Sequence, residues 1–143
     1  MKFPDYYPEN CPPPDSVSAN GDFYRVITDK EGRTLKKEHF KSHRASQPKR
    51  VFPPDLSECE LCSVSLLKDL EEAKNFAKFL LAFPSNRNKI GRIAYGTLSS
   101  EMGKIKHTPK PESNQLSHYD WWCPENFDGT KCFAYNDIKI END

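Results

Sequence analysis

The sequence lacks the features that mark membrane, secreted and nucleic-acid-binding proteins. No apolar run approaches the length of a membrane span, and the N-terminal residues lack the apolar core of a signal peptide. The 21 basic residues balance 21 acidic residues, so the whole molecule has no net attraction to nucleic acid or anionic membranes. Five cysteines without an export signal make a disulfide framework unexpected. These absences predict one cytoplasmic domain over residues 1–143, without membrane association.

Common catalytic and metal-binding motifs are also missing. The chain has no G-x-S-x-G elbow, no H-E-x-x-H motif and no glycine-rich phosphate loop. Cys59 and Cys62 have zinc-knuckle spacing, but Cys123 and Cys132 are too widely spaced to form a matching second pair. We therefore predict reduced cysteines that pack as small hydrophobic side chains and no bound metal, with zinc at Cys59 and Cys62 as the alternative.

Hydrophobic periodicity predicts an α+β fold. Asp69 and Glu72 form a capping-box pattern ahead of a helix that ends before Pro84. The apolar stripe of this helix is expected to pack on a sheet that includes Tyr24, Val26, Ile93 and Phe133; its members are Leu70, Ala73, Phe76, Ala77 and Leu80. Strands are predicted at residues 22–28, 62–66, 92–98, 103–107 and 131–140. Together, these elements predict one main amphipathic helix packed on a curved, mostly antiparallel sheet.

The connecting segments are long and rich in proline. Residues 1–20 are predicted to be an extended N-terminal coil, and residues 108–117 a proline-containing loop. A turn is expected at residues 29–32 and a short helix over residues 34–46. In the last strand Phe133 and Tyr135 have opposite parity to Ile138 and Ile140, so a bulge near Asn136 is predicted to bring all four to one face.

The segment His118-Tyr119-Asp120-Trp121-Trp122 contains both tryptophans of the protein. Neighbouring residues of a strand point to opposite faces, so the two indoles cannot enter the same core layer. We therefore expect one of them to face a cleft or solvent. Tryptophan is a frequent anchor of binding sites, and Trp121, Trp122, Tyr119 and His118 are the predicted contact surface. His118 is also the best single candidate for a functional side chain, with a catalytic role only if the NAD-handling alternative below holds.

Arg25 in the first predicted strand and Ser63-Val64-Ser65 before the main helix resemble the arginine and S-T-S elements of arginine-type ADP-ribosyltransferases. In that family the arginine contacts bound NAD and the first serine supports the nicotinamide ribose. The resemblance implies these roles for Arg25, Ser63 and Ser65, with NAD as cofactor. The third element of the family, E-x-E on a late strand, is not found in this sequence, since Glu58-x-Glu60 lies before the serines.

The order of four landmarks also resembles a group of short uncharacterised bacterial proteins. These landmarks are Cys11-Pro12-Pro13, Gly21-Asp22-Phe23-Tyr24-Arg25, Ser63-Val64-Ser65 and His118-Tyr119-Asp120-Trp121-Trp122. No activity comes with this resemblance.

Three functions are consistent with the sequence. The leading hypothesis is a small cytoplasmic binding or regulatory module without a cofactor, the partner of a larger bacterial effector, which uses its tryptophan-rich surface. The alternative is an NAD-handling domain of the ADP-ribosyltransferase type, active or degenerate. Binding of single-stranded nucleic acid by aromatic stacking beside Lys104, Lys106 and Lys110 is a third possibility, which the neutral net charge disfavours.

Overall fold

Seven strands in the described part of the chain form one antiparallel sheet. The computed structural model describes residues 1–30 and 34–141. Its strands are β1 (Val17–Ser18), β2 (Gly21–Asp29), β3 (Val64–Leu67), β4 (Ile90–Leu98), β5 (Lys104–His107), β6 (His118–Trp122) and β7 (Phe133–Ile140). Their order across the sheet is β1-β5-β6-β3-β2-β4-β7. The predicted α+β class is confirmed, whereas the turn predicted at residues 29–32 lies partly outside the described residues.

The described residues contain three α-helices, which are α1 (His43–Ser46), α2 (Glu58–Leu61) and α3 (Leu70–Leu81). The helix predicted over residues 34–46 is wrong as a continuous element. It is divided into a 3-10 turn, Lys37–Phe40, and α1, because Lys41 and Ser42 have extended backbone. Ser42 starts α1 by accepting a hydrogen bond from the Ala45 amide. None of the described helices is long and apolar enough to cross a membrane.

Helix α3 begins and ends where the sequence predicts. The Asp69 carboxylate accepts a hydrogen bond of 2.9 Å from the Glu72 amide. Glu72 does not return to the Asp69 backbone; its carboxylate instead accepts hydrogen bonds from the Ser117 amide (2.9 Å) and hydroxyl (2.7 Å). This contact ties the start of α3 to the residue before β6.

Apolar layers cover both faces of the sheet. On one face α3 buries Ala73 and Ala77 against Val26, Leu67 and Ile93. Leu70, Phe76 and Leu80 border this layer and are only partly buried. The opposite face carries a more aromatic layer that includes Phe23, Ile27, Phe40, Val64, Leu66, Trp121 and Phe133. Phe133 therefore does not pack under α3, which corrects one member of the predicted core.

The register of β7 changes at the predicted position but with a different result. Arg92 pairs with Lys139 and Ala94 pairs with Tyr135, so β7 has two more residues than β4 between these pairs. Because two extra residues preserve the parity of the strand, Tyr135 packs with the aromatic layer and Ile138 with the α3 layer. The bulge therefore leaves these side chains on opposite faces.

The N-terminal segment is attached to the sheet by covalent and polar contacts. A disulfide joins Cys11 to Cys59, which corrects the prediction that all the cysteines are reduced. The Tyr7 hydroxyl donates to the Cys123 carbonyl (3.3 Å), and the Glu125 amide donates to the Lys2 carbonyl (2.9 Å). The disulfide also anchors α2, the helix directly before Ser63.

Candidate functional site

A gap between β2 and β3 forms the centre of the candidate site. These strands pair only at Tyr24 and Leu67, whereas β2 pairs with β4 over its whole length. The gap is a cavity of about 330 Å³. Its walls are residues of both strands, its roof comes from the segment around α1, and Phe76 and Leu80 of α3 close the remaining side.

Arg25 lines this cavity and has no carboxylate partner among the described residues. Its Nε donates to the His39 carbonyl (3.1 Å), and its Nη1 donates to the Ser65 carbonyl (3.0 Å). A guanidinium has five N–H groups, so these two bonds leave donors for a ligand. Burial lowers the pKa of Arg25 to about 10, and the side chain stays cationic at neutral pH. A largely buried cation without a counter-ion is costly, and an anionic ligand would offset that cost.

Ser63 and Ser65 line the same cavity and also a second one of about 380 Å³. The Ser63 hydroxyl lies 2.9 Å from a carboxyl oxygen of Asp120 and 2.8 Å from the Glu60 carbonyl. Asp120 is in β6 directly opposite Ser65 and lines the second cavity. His43 also lines both cavities, so the two spaces adjoin along the serine segment.

Asp120 is a buried carboxyl group, 6% exposed. Burial raises its pKa, while hydrogen bonds from Ser63 and Thr108 and the positive charges of Lys110 and Lys106 act in the opposite direction. Asp120 is thus a carboxyl whose ionisation depends on a few named neighbours. Such groups are frequent at functional sites.

His118 lies behind the candidate site. It has the same strand parity as Asp120 but is only 2% exposed, and it is not among the residues that line the two cavities. Its Nδ1 lies 2.8 Å from the Thr108 hydroxyl and 3.0 Å from the Thr108 carbonyl. Burial lowers the pKa of His118 to about 4, so the ring is neutral at physiological pH. In this position His118 is a neighbour of the candidate site and does not reach a ligand.

The predicted tryptophan surface is wrong. Trp121 is 0% exposed and Trp122 is 1% exposed. Their indole N–H groups donate to the Met102 carbonyl (2.7 Å) and the Cys59 carbonyl (2.9 Å), respectively. The two rings do point to opposite faces, but both faces of β6 are covered. Tyr119 is half-buried, with its ring stacked on His107.

The structure brings together Arg25, Ser63 and Ser65, the three residues of the ADP-ribosyltransferase resemblance. Sequence reasoning missed Asp120 as a member of this site because it looked for a glutamate in an E-x-E motif. The available signal was strand parity, since in an extended segment Asp120 shares a face with His118, two residues before it. Pairing of β6 with β3 was not visible in the sequence.

Zinc at Cys59 and Cys62 is incompatible with the disulfide form, because Cys59 is bonded to Cys11. Within residues 1–30 and 34–141, no group of three or more histidine, cysteine, aspartate and glutamate side chains is arranged to hold a metal ion. Burial raises the pKa of the free Cys62 thiol to about 11, so it is protonated at neutral pH.

Comparison of the chain with protein-family models, curated proteins and solved structures found no match.

Proposed function

We propose that this chain is an ADP-ribosyltransferase-like domain that binds NAD in the gap between β2 and β3. The observation that carries the proposal is the Arg25 guanidinium, which faces the cavity with free donors and no carboxylate partner in the described part of the chain. Arginine is well suited to phosphate because its planar fork makes paired, charge-assisted hydrogen bonds. Arg25 would hold the pyrophosphate of the dinucleotide.

The adjoining cavities have the size and chemistry for the rest of such a ligand. Their volumes of about 330 and 380 Å³ are typical of small-molecule sites. Ser63 and Ser65 offer hydroxyl groups to a ribose, and Phe76 and Leu80 supply an apolar wall at the first cavity.

Asp120 would supply the carboxylate that the family provides as a glutamate. Cleavage of the bond between nicotinamide and ribose builds positive charge on the ribose. An ionised carboxylate beside Ser63 would stabilise this charge in the transition state. Aspartate is one methylene shorter than glutamate, so the ribose must approach β6 more closely in this chain.

The leading hypothesis from the sequence, a binding module for a protein partner, stays a prediction. The surface proposed for it, around Trp121 and Trp122, is buried. The buried indoles cannot contact a partner in this conformation. A cytoplasmic location also stays a prediction. The Cys11–Cys59 disulfide argues against it, because cytosolic thiols are usually kept reduced.

Calorimetric titration with NAD, together with an assay for released nicotinamide, tests the proposal. We expect the wild-type protein to bind NAD, and inorganic pyrophosphate to compete. Arg25→Gln should weaken binding by roughly 10- to 100-fold, the effect of losing charged hydrogen bonds. The matched control is Arg92→Gln on β4, where the arginine donates to the Asn136 carbonyl and lies over the Tyr135 ring. Absence of NAD binding to folded wild-type protein at millimolar concentration would overturn the proposal.

A further inference from the structure

We infer that Thr108 and His118 are positioning residues that hold the carboxyl of Asp120 in place beside Ser63. The importance of this arrangement for catalysis rests on the proposed function, but the arrangement itself does not. Thr108 lies just after β5, and the other two residues are in β6. His118 does not line either cavity and would act through Thr108.

The contacts of His118 determine which ring nitrogen carries the proton. Nδ1 lies 3.0 Å from the Thr108 carbonyl oxygen, which can only accept a hydrogen bond. A neutral ring therefore has its proton on Nδ1 and donates it toward Thr108. An unprotonated Nδ1 would place two lone pairs against each other at this distance.

This tautomer decides the direction of the Thr108 hydroxyl. Nδ1 is 2.8 Å from the Thr108 hydroxyl oxygen as well, and a protonated nitrogen cannot accept from it. The hydroxyl proton is therefore available to Asp120, which lines the second cavity together with Thr108. The effect of Thr108 on the pKa of Asp120 has the sign expected for a donor. Ser63 is the observed donor to this carboxyl on the β3 side. The inference adds Thr108 as the donor on the β5 side.

The charged surroundings of Asp120 come from several elements. Lys106, opposite Asp120 in β5, and Lys110 both favour the carboxylate. The acidic side chains that line the same cavity are Asp55, Glu60 and Glu112. His43 also lines this cavity. Because burial opposes ionisation, the two hydroxyl donors matter for keeping Asp120 charged and fixed.

The first test measures the pKa of Asp120 in the ligand-free protein. NMR titration of the Asp120 carboxyl carbon should give a higher pKa in Thr108→Val than in wild type, and an unchanged pKa in Thr108→Ser. Thr97→Val is the matched control and should leave the pKa of Asp120 unchanged. Thr97 lies at an exposed site on β4 and donates to Asp22 (2.6 Å). In the wild-type protein, imidazole ¹⁵N shifts should show a neutral His118 ring protonated at Nδ1.

The second test measures catalysis. Thr108→Val should lower kcat for nicotinamide release by roughly 10- to 100-fold with a smaller change in KM, and Thr108→Ser should restore it. The acid limb of the pH–rate profile should also move to higher pH in Thr108→Val.

The outcomes separate the two proposals. A raised Asp120 pKa in Thr108→Val without NAD turnover in wild type would support the arrangement and reject the enzymatic function. An unchanged Asp120 pKa in folded Thr108→Val would overturn the arrangement. If Thr108→Val does not fold, the wild-type ¹⁵N measurement decides, and a ring protonated at Nε2 overturns the inference.

Discussion

The Ser63 hydroxyl lies 2.9 Å from an Asp120 carboxyl oxygen, although the two residues are 57 positions apart in the chain. Pairing of β3 with β6 creates this contact, because it places Ser65 directly opposite Asp120. On the other side of β3, the separation from β2 lets Arg25 reach the Ser65 carbonyl. One short strand therefore links the cation and the carboxyl of the candidate site.

The Ser63–Asp120 contact should be energetically coupled. A double-mutant cycle with Ser63→Ala and Asp120→Asn is expected to give a coupling energy of about 1–3 kcal/mol, because the contact is buried and Asp120 is a potential charge. The exposed Thr97–Asp22 pair provides the control, with Thr97→Val and Asp22→Asn and a coupling below about 1 kcal/mol. Urea unfolding of each variant measures both values. Equal coupling at the two sites would show that the Ser63 contact has no special strength.

Both tryptophans should behave as core residues. Trp121→Phe and Trp122→Phe each leave a partly buried carbonyl without its indole donor, at Met102 and Cys59 respectively. We expect each change to lower the free energy of unfolding by about 1–3 kcal/mol. Leu116→Ala, at a side chain that is 60% exposed, should change it by less than about 0.5 kcal/mol. A tryptophan variant that keeps wild-type stability would mean that its ring is not buried in solution.

His118 should make the protein less stable in mild acid. Its pKa is about 4 in the folded protein and near 6.5 when unfolded, so the unfolded chain binds the proton more readily. The free energy of unfolding should therefore fall as pH decreases from 6.5 to 4, by about 3 kcal/mol from this residue alone. Asp120 has the opposite effect, because its pKa is raised in the folded protein. Its contribution to the free energy of unfolding should increase as the pH falls in the acid range.

Comparison of wild type with His118→Asn isolates the histidine contribution, since asparagine keeps an N–H donor and does not titrate. Denaturant unfolding between pH 4.5 and 7.5 should show a flatter profile for His118→Asn. Both proteins keep the exposed His107, so the difference between the two profiles comes from position 118. A wild-type slope in His118→Asn would contradict a buried, neutral His118.

The Cys11–Cys59 disulfide should stabilise the protein. The bond closes a loop of 48 positions, for which the chain-entropy model gives about 4 kcal/mol. The double variant Cys11→Ser and Cys59→Ser should lose stability on this order, whereas Cys132→Ser, which removes a free thiol, should lose much less. Alkylation of unfolded, unreduced protein followed by mass spectrometry should label only three cysteines. Labelling of all five would show that the bond does not form.

The sequence by itself determined the elements whose pattern is local. The α3 boundaries followed from the Asp69 cap and Pro84, because capping and helical periodicity act over a few residues. The positions of β2 and β4 followed from runs of β-branched and aromatic residues for the same reason. Arg25, Ser63 and Ser65 were predicted as site residues from the resemblance of their types and order to the ADP-ribosyltransferase elements.

The tertiary structure decided what depends on pairing over long distances. Packing against both faces of β6 buried Trp121 and Trp122 and so turned the predicted tryptophan surface into core. Pairing of β3 with β6 placed Asp120 beside Ser63, with His118 further along the same strand. The Cys11–Cys59 bond likewise required two distant segments to meet. Alternation along a strand tells which residues share a face, but only the neighbouring strands and covering layers determine whether that face is buried, exposed or part of a cleft.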